Sequence, residues 1–295
     1  MSISIHYIMK NLKYLLTSLT LVCLFIACSS DDSSPEQDPD KNPVEHLNKV
    51  VESQSTNGYH LALFSAKKII QTGSNALVAR ISKNEQNTTA SDLQLSITMH
   101  MNSKGHAMSH GAPVVQLKPT ADKGYYEGYI FPTMASNGDA DYWMLKITAT
   151  IDNQTVTFEE RIEVNTSKDK TLVSFKDQDT KYTVALIEPS NPKIGLNESS
   201  ALLFTTTDNT VFEIVDAHTI HIDPRMPSMG NHGSPNNIDF TQAKSQELYK
   251  GQLSLTMSGY WKINLMVRDA KGNLIKGNPV TEEQESSDIF FELEF

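Results

Sequence analysis

Alternation with period two runs through this chain. Leu93, Leu95, Ile97, Met99 and Met101 share one parity, and Gln94, Ser96, Thr98 and His100 hold the other. Trp143, Leu145, Ile147, Ala149 and Ile151 repeat the pattern, as do Trp261, Ile263, Leu265 and Val267. Successive side chains of a strand point to opposite faces, so each run predicts a strand with one apolar and one polar face. No long stretch keeps the 3.6-residue period of an amphipathic helix. Many short strands divided by Gly, Asn, Asp and Pro turns predict an all-β chain of antiparallel sandwiches.

The pattern occurs twice. The first half carries "TMHM" (98–101), "HGAP" (110–113), "YEG" (126–128), "TM" (133–134) and "YW" (142–143). The second carries "TIHI" (219–222), "HGSP" (232–235), "YKG" (249–251), "TM" (256–257) and "YW" (260–261). Order and spacing nearly agree, which predicts two tandem immunoglobulin-like β-sandwich domains, 57–164 and 180–295, joined by a polar linker, 165–179. On this alignment Met99 and Met101 match Ile220 and Ile222 on the apolar face, and His100 matches His221 on the polar face. Cys23 and Cys28 are the only cysteines, so neither sandwich has an inter-sheet disulfide.

The N-terminus predicts export. Lys10 and Lys13 precede an apolar run, 15–27, that is short for a membrane span and ends "LFIAC". This resembles a bacterial lipobox. It implies a signal peptide over 1–27, cleavage before Cys28 and lipidation of that cysteine, which anchors the chain in the membrane. The following segment, 28–56, is polar and acidic and predicts a disordered tether. Its "SSDD" (29–32) resembles the surface-export signal of Bacteroidetes-type lipoproteins. The expected location is the bacterial envelope, at the outer membrane. A formal net charge of -10 argues against nucleic acid as a partner.

Chemistry concentrates in two segments. Residues 99–110 and 218–232 hold six of the nine histidines and five of the eleven methionines, where an even spread would place about one of each. "NSKGHAMSHGAP" (102–113) and "DPRMPSMGNHGSP" (223–235) do not alternate and predict loops. The candidate metal ligands are His100, His106, Met108 and His110 in the first half, and His221, Met226, Met229 and His232 in the second. Met134 and Met257, at strand ends, are further candidates or core. Thioether and imidazole favour copper, Cu(I) above all, and thiols would oxidise outside the cytoplasm. A histidine-rich set of His100, His106 and His110 would suit Cu(II). Zinc and calcium fit less well, because Cys ligands and a dense carboxylate loop are missing.

"PRMPSMGNHGSP" followed by "LYKGQLSLTMSGYWKINLMVRD" resembles the YtkA-like and FixH-like domains, small extracytoplasmic β-sandwiches associated with copper handling. The resemblance rests on Met226, Pro227, Met229, Gly230, His232, Tyr249, Gly251, Met257, Gly259 and Trp261. It departs at Asn231, inserted before the histidine, and at Arg225. The first half keeps Met108, His110, Tyr126, Gly128, Met134 and Trp143 but lacks the Pro-Met-Pro core. The resemblance implies metal loops at one end of each sandwich, with the second the better formed.

No Gly-x-Ser-x-Gly elbow, His-Glu-x-x-His helix or phosphate loop occurs. Adjacent Glu159 and Glu160 point to opposite faces of a strand. The expectation is a non-enzymatic lipoprotein that binds copper for buffering, delivery or resistance, with a copper-transport or efflux partner. The alternative is a structural or adhesive tandem surface module without metal.

Overall fold

A computed structural model describes residues 42–103 and 105–295. The signal segment, Cys28 and the first part of the expected tether lie outside the described residues. Alternating burial appears where the sequence alternates: Trp143, Leu145, Ile147, Ala149 and Ile151 are all buried on one face. The first half contributes β1 (Asn48–Gln54), β2 (Tyr59–Ser65), β3 (Ile70–Gln71), β4 (Asn75–Lys83), β5 (Gln86–Asn87), β6 (Ser91–Ser103), β7 (His106–Gly111), β8 (Val114–Pro119), β9 (Tyr125–Ile130), β10 (Asp141–Ile151), β11 (Gln154–Ile162) and β12 (Val164–Asn165). The second contributes β13 (Leu172–Asp177), β14 (Thr180–Glu188), β15 (Gly195–Thr206), β16 (Glu213–Ile214), β17 (Thr219–Met226), β18 (His232–Gly233), β19 (Ile238–Gln242), β20 (Tyr249–Leu255), β21 (Tyr260–Arg268), β22 (Leu274–Lys276) and β23 (Phe290–Glu294). The fold is all-β, and its one helical turn is a short 3-10 turn, Pro227–Met229, among the described residues.

Both halves pair their strands in the same order. In the first, a sheet β1-β2-β4-β9-β8 shares a core with a sheet β11-β10-β6-β7. In the second, β13-β14-β15-β20-β19 forms one face, and β23, β21, β17 and β18 pair in that order on the other. There the faces join through one bridge, Ile220 to Phe240. Each half keeps its own core, centred on Trp143 or on Trp261. Every described strand and core lies within the compact unit Pro43–Phe295.

Strands β14 and β15 are buried on both faces. Val184 and Leu186 of β14, with Ala201 and Leu203 of β15, enter the second core. Ala185, Ile187, Leu202 and Phe204 point the other way, against Phe131, Val115 and Tyr129 of the first half. Phe131 and Phe204 meet with ring centroids 5.3 Å apart. Each large apolar side chain buried this way stabilises by about 1.5–3 kcal/mol. Continuous apolar runs, "VALI" and "ALLF", are the sequence form of a strand covered on both faces.

Three sequence boundaries shift. β1 lies inside the expected tether, 28–56, because Val51 and Ser53 turn inward and Val50 packs against the first core from an otherwise polar strand. β13 lies inside the expected linker, 165–179, where Val173 and Phe175 reach the second core. The expected loop after "TMHM" is a hairpin: β6 runs on to Ser103, and β7 pairs back along it from His106.

Candidate functional site: the Met and His clusters at the sandwich ends

The shared landmarks have physical roles. Tyr126 donates its hydroxyl proton to the Ala90 carbonyl just before β6, at 3.2 Å, and Tyr249 donates to the Val215 carbonyl just before β17, at 2.8 Å. Burial pushes the Tyr249 phenol up to about 12. Gly128 and Gly251 answer a close approach: a Cβ would stand 2.7 Å from the Val115 oxygen in one and 2.5 Å from the Ile238 oxygen in the other. Trp143 donates its indole N–H to the Met134 carbonyl at 3.0 Å, and Trp261 donates to the Met257 carbonyl at 2.9 Å. Each motif therefore fixes the backbone around a buried indole near one end of its sandwich.

In the first half, register decides which donors meet. Met99 pairs with His110 on one side and Trp143 on the other, and Met101 pairs with Met108. Direct partners in an antiparallel pair share a face, so Met99, Met101, Met108 and His110 lie on one face, with His106 next in line. Exposure rises along it: Met99 is buried, Met101 half-buried, and Met108 is 53% exposed. The core stripe thus runs out of the sandwich and becomes a thioether surface. His110 is half-buried, and its ring meets Trp143 edge-on with centroids 5.5 Å apart. Its Nδ1 lies 2.8 Å from the Gly111 carbonyl. A carbonyl only accepts, so Nδ1 carries the proton, and Nε2 of the neutral ring keeps its lone pair.

His100 does not join this set. It lies on the opposite face, stacked on Tyr142 at 5.2 Å, because neighbours along a strand point apart. The histidine-rich set of His100, His106 and His110 is therefore split between two faces. Met134, itself partly exposed, is tied by its backbone to the indole that His110 touches.

The second half builds a related end. Met226 pairs with His232 across β17 and β18. Gly230 and Asn231 both take positive φ, 65° and 60°, and so turn the chain back to bring His232 opposite. Asparagine is among the few residues that enter this region readily, and Asn231 also donates to the Glu285 carbonyl at 3.0 Å. Met226 is not on a loop surface as expected: it is 4% exposed and belongs to the second core. Its methyl approaches Gly259, where a Cβ would be 3.1 Å away. Met229, 57% exposed, and His232 face solvent beside it, and Met257 is half-buried.

His221 sits on the other face of β17. Its Nδ1 lies 2.9 Å from an Asp239 carboxylate oxygen, and that hydrogen bond raises its pKa above the ordinary imidazole value. The expected match of His100 to His221 therefore fails. Met99 stands opposite Trp143; in the second half Pro224 stands opposite Ile263 and Arg225 opposite Lys262, a register that brings Met226 opposite Trp261. That places Met226, not Ile220, at the position of Met99. Among the described residues no three His, Cys, Asp or Glu side chains converge as a metal site, so a metal at either end would need thioether donors. Sequence reasoning missed Asp239 and Met266 beside His221; Met266 carried a signal, as a methionine on the polar parity of β21.

These features define an all-β sandwich protein with Met/His ends. Its second half is similar to the YtkA-like family, whose model matches residues 176–266, from β13 into β21. No curated protein matches the chain. Among solved structures, a DUF4785 family protein from Legionella pneumophila aligns over 74% of this chain at 8% identity, with a TM-score of 0.25. The alignment covers 55% of that protein, so the chain spans about half its length.

Proposed function

We propose that this chain is an envelope lipoprotein, anchored through Cys28 at the outer membrane, that holds Cu(I) for buffering, delivery or resistance. The observation that carries the reading is the shared face of Met101, Met108 and His110, with the His110 Nε2 lone pair free. Exposed Met108 has no packing role there, whereas two neutral thioethers and one imidazole suit a soft monovalent ion. Bound copper supplies an ion that exchanges ligands with a partner such as a transporter or efflux component. The chain's own part is to hold the imidazole in one tautomer and to offer sulfur without charge. Met229 and His232 give the second half a comparable exposed pair. The common strand order supports reading the halves as tandem immunoglobulin-like sandwiches of YtkA-like type.

The test is competition of the unit Pro43–Phe295 against a chromophoric Cu(I) chelator. The expected result is withdrawal of one to two equivalents, lowered by Met108→Leu combined with His110→Ala. A fragment that withdraws no copper overturns the proposal. The alternative, a structural or adhesive surface module, draws on Leu196 and Ile238, exposed apolar residues on the strands flanking β20.

A further inference from the structure

A separate set of donors meets on the other face of β17 and β21. His221 lies directly across from Met266, and Asp223 across from Asn264. Such partners place their Cβ atoms about 4.5–5.5 Å apart. All four line one small pocket of about 80 Å³, open to solvent and walled on its far side by Asn278, Pro279 and Val280.

That wall is tightly built. Gly277 brings it against β21 so closely that a Cβ there would stand 2.2 Å from the Leu265 oxygen. The Asn278 N–H donates to Ser287 Oγ at 2.9 Å, and Asn278 Nδ2 donates to Asp288 Oδ1 at 2.8 Å. A water molecule's share of liquid is about 30 Å³, and pockets for organic ligands start near 300 Å³. The space therefore suits an ion and not a metabolite.

The donors are matched to one kind of ion. Asp239 accepts a hydrogen bond from His221 Nδ1–H, which leaves the Nε2 lone pair of the neutral ring to face a metal ion. A carboxylate behind an imidazole is the usual way to orient a metal-binding histidine. Met266 supplies sulfur from the facing strand. Charge is balanced: Asp239 and Asp223 are offset by Arg225, which donates to both Asp223 oxygens at 2.8 and 3.0 Å, and by Arg268, which weakens the field at His221. A hard dication would find no excess of carboxylates. We propose that His221 Nε2 and the Met266 thioether form a site for a soft monovalent cation of the Cu(I) or Ag(I) class, separate from the sandwich ends. One nitrogen and one sulfur suffice for such an ion, which accepts low coordination.

The test uses the unit Pro43–Phe295 with methyl-labelled methionine and Ag(I) as the probe, read by NMR. The Met266 methyl signal, assigned by its loss in Met266→Leu, is expected to shift to saturation with Ag(I). It is expected to shift equally in a variant carrying Met108→Leu, His110→Ala and His232→Ala. His221→Ala is expected to abolish the shift, and Asp239→Asn to weaken Ag(I) binding at this signal about 10–100-fold. An unmoved Met266 signal, or a shift that persists in His221→Ala with an unchanged melting curve, overturns the proposal. Met266 shifting while the end methionines stay fixed would sustain this site and overturn the copper reading of the ends.

Discussion

Replacing Met226 separates packing from ligation. The residue is 4% exposed in the second core, beneath Gly259. Truncation of a buried methionine to alanine costs about 2–5 kcal/mol through lost transfer energy and the cavity left behind. In a unit of this size each kcal/mol lowers Tm by about 2–4 °C, so Met226→Ala should melt roughly 4–20 °C below the parent. Met226→Leu keeps the volume and should cost less than about 1.5 kcal/mol. If burial is what fixes Met226, that variant should also keep its Cu(I) affinity. Met108→Leu gives the complement. Its parent side chain is 53% exposed, so stability should change by no more than about 0.5 kcal/mol, while copper uptake falls. Thermal unfolding by circular dichroism and chelator competition on the same preparations supply both readings. A Met226→Ala variant that melts within 2 °C of the parent would refute the packing argument. A well-folded Met226→Leu variant that no longer takes copper would refute it equally.

Three further outcomes follow from the geometry. Gly251→Ala places a Cβ 2.5 Å from the Ile238 carbonyl oxygen, a backbone atom that cannot swing aside, and should cost about 1–3 kcal/mol, read as a lowered Tm. Gly111→Ala meets the Thr210 carbonyl oxygen at 2.6 Å and strains the bond from the Gly111 N–H to Asn209 at 2.7 Å. It should therefore destabilise the contact between the halves, seen as faster amide exchange at Asn209 to Val211. Asp208 closes that turn, and hydrogen bonds from Thr210 and from the Val211 N–H hold its carboxyl well below the usual range. A depressed folded pKa stabilises above the unfolded value of 3.8 and loses the effect as pH falls through the folded value. The Tm gap between the parent and Asp208→Ala should thus be full at pH 7 and shrink as pH falls below 3.8.

Much of the fold was legible because strand faces are written as parity. The inward stripes of β6, β10 and β21 could be read residue by residue, and the Tyr-x-Gly and Trp landmarks marked positions where the backbone has one solution. The candidate donors were legible too, since methionine and histidine gather visibly. Register was not. "TMHM" and "TIHI" look equivalent, yet Met99 corresponds to Met226, six residues beyond Ile220. A displacement by an even number keeps every side chain on its own face, so alternation cannot detect it. The "NSKGHAMSHGAP" hairpin escaped for a related reason. Its inward residues run past the end of the core, where apolar and polar faces no longer differ.

The sequence by itself determined the class of fold, the faces of its main strands and the kinds of donor atom at its ends. Those follow from local chemistry: parity, turn residues and composition. Tertiary structure alone decided which donors meet. It split His100 from His110, buried Met226, set His221 against Asp239 and Met266, and joined the halves through Phe131 and Phe204. Each of these depends on hydrogen-bonded register and close packing between segments far apart in the chain, which no local pattern records.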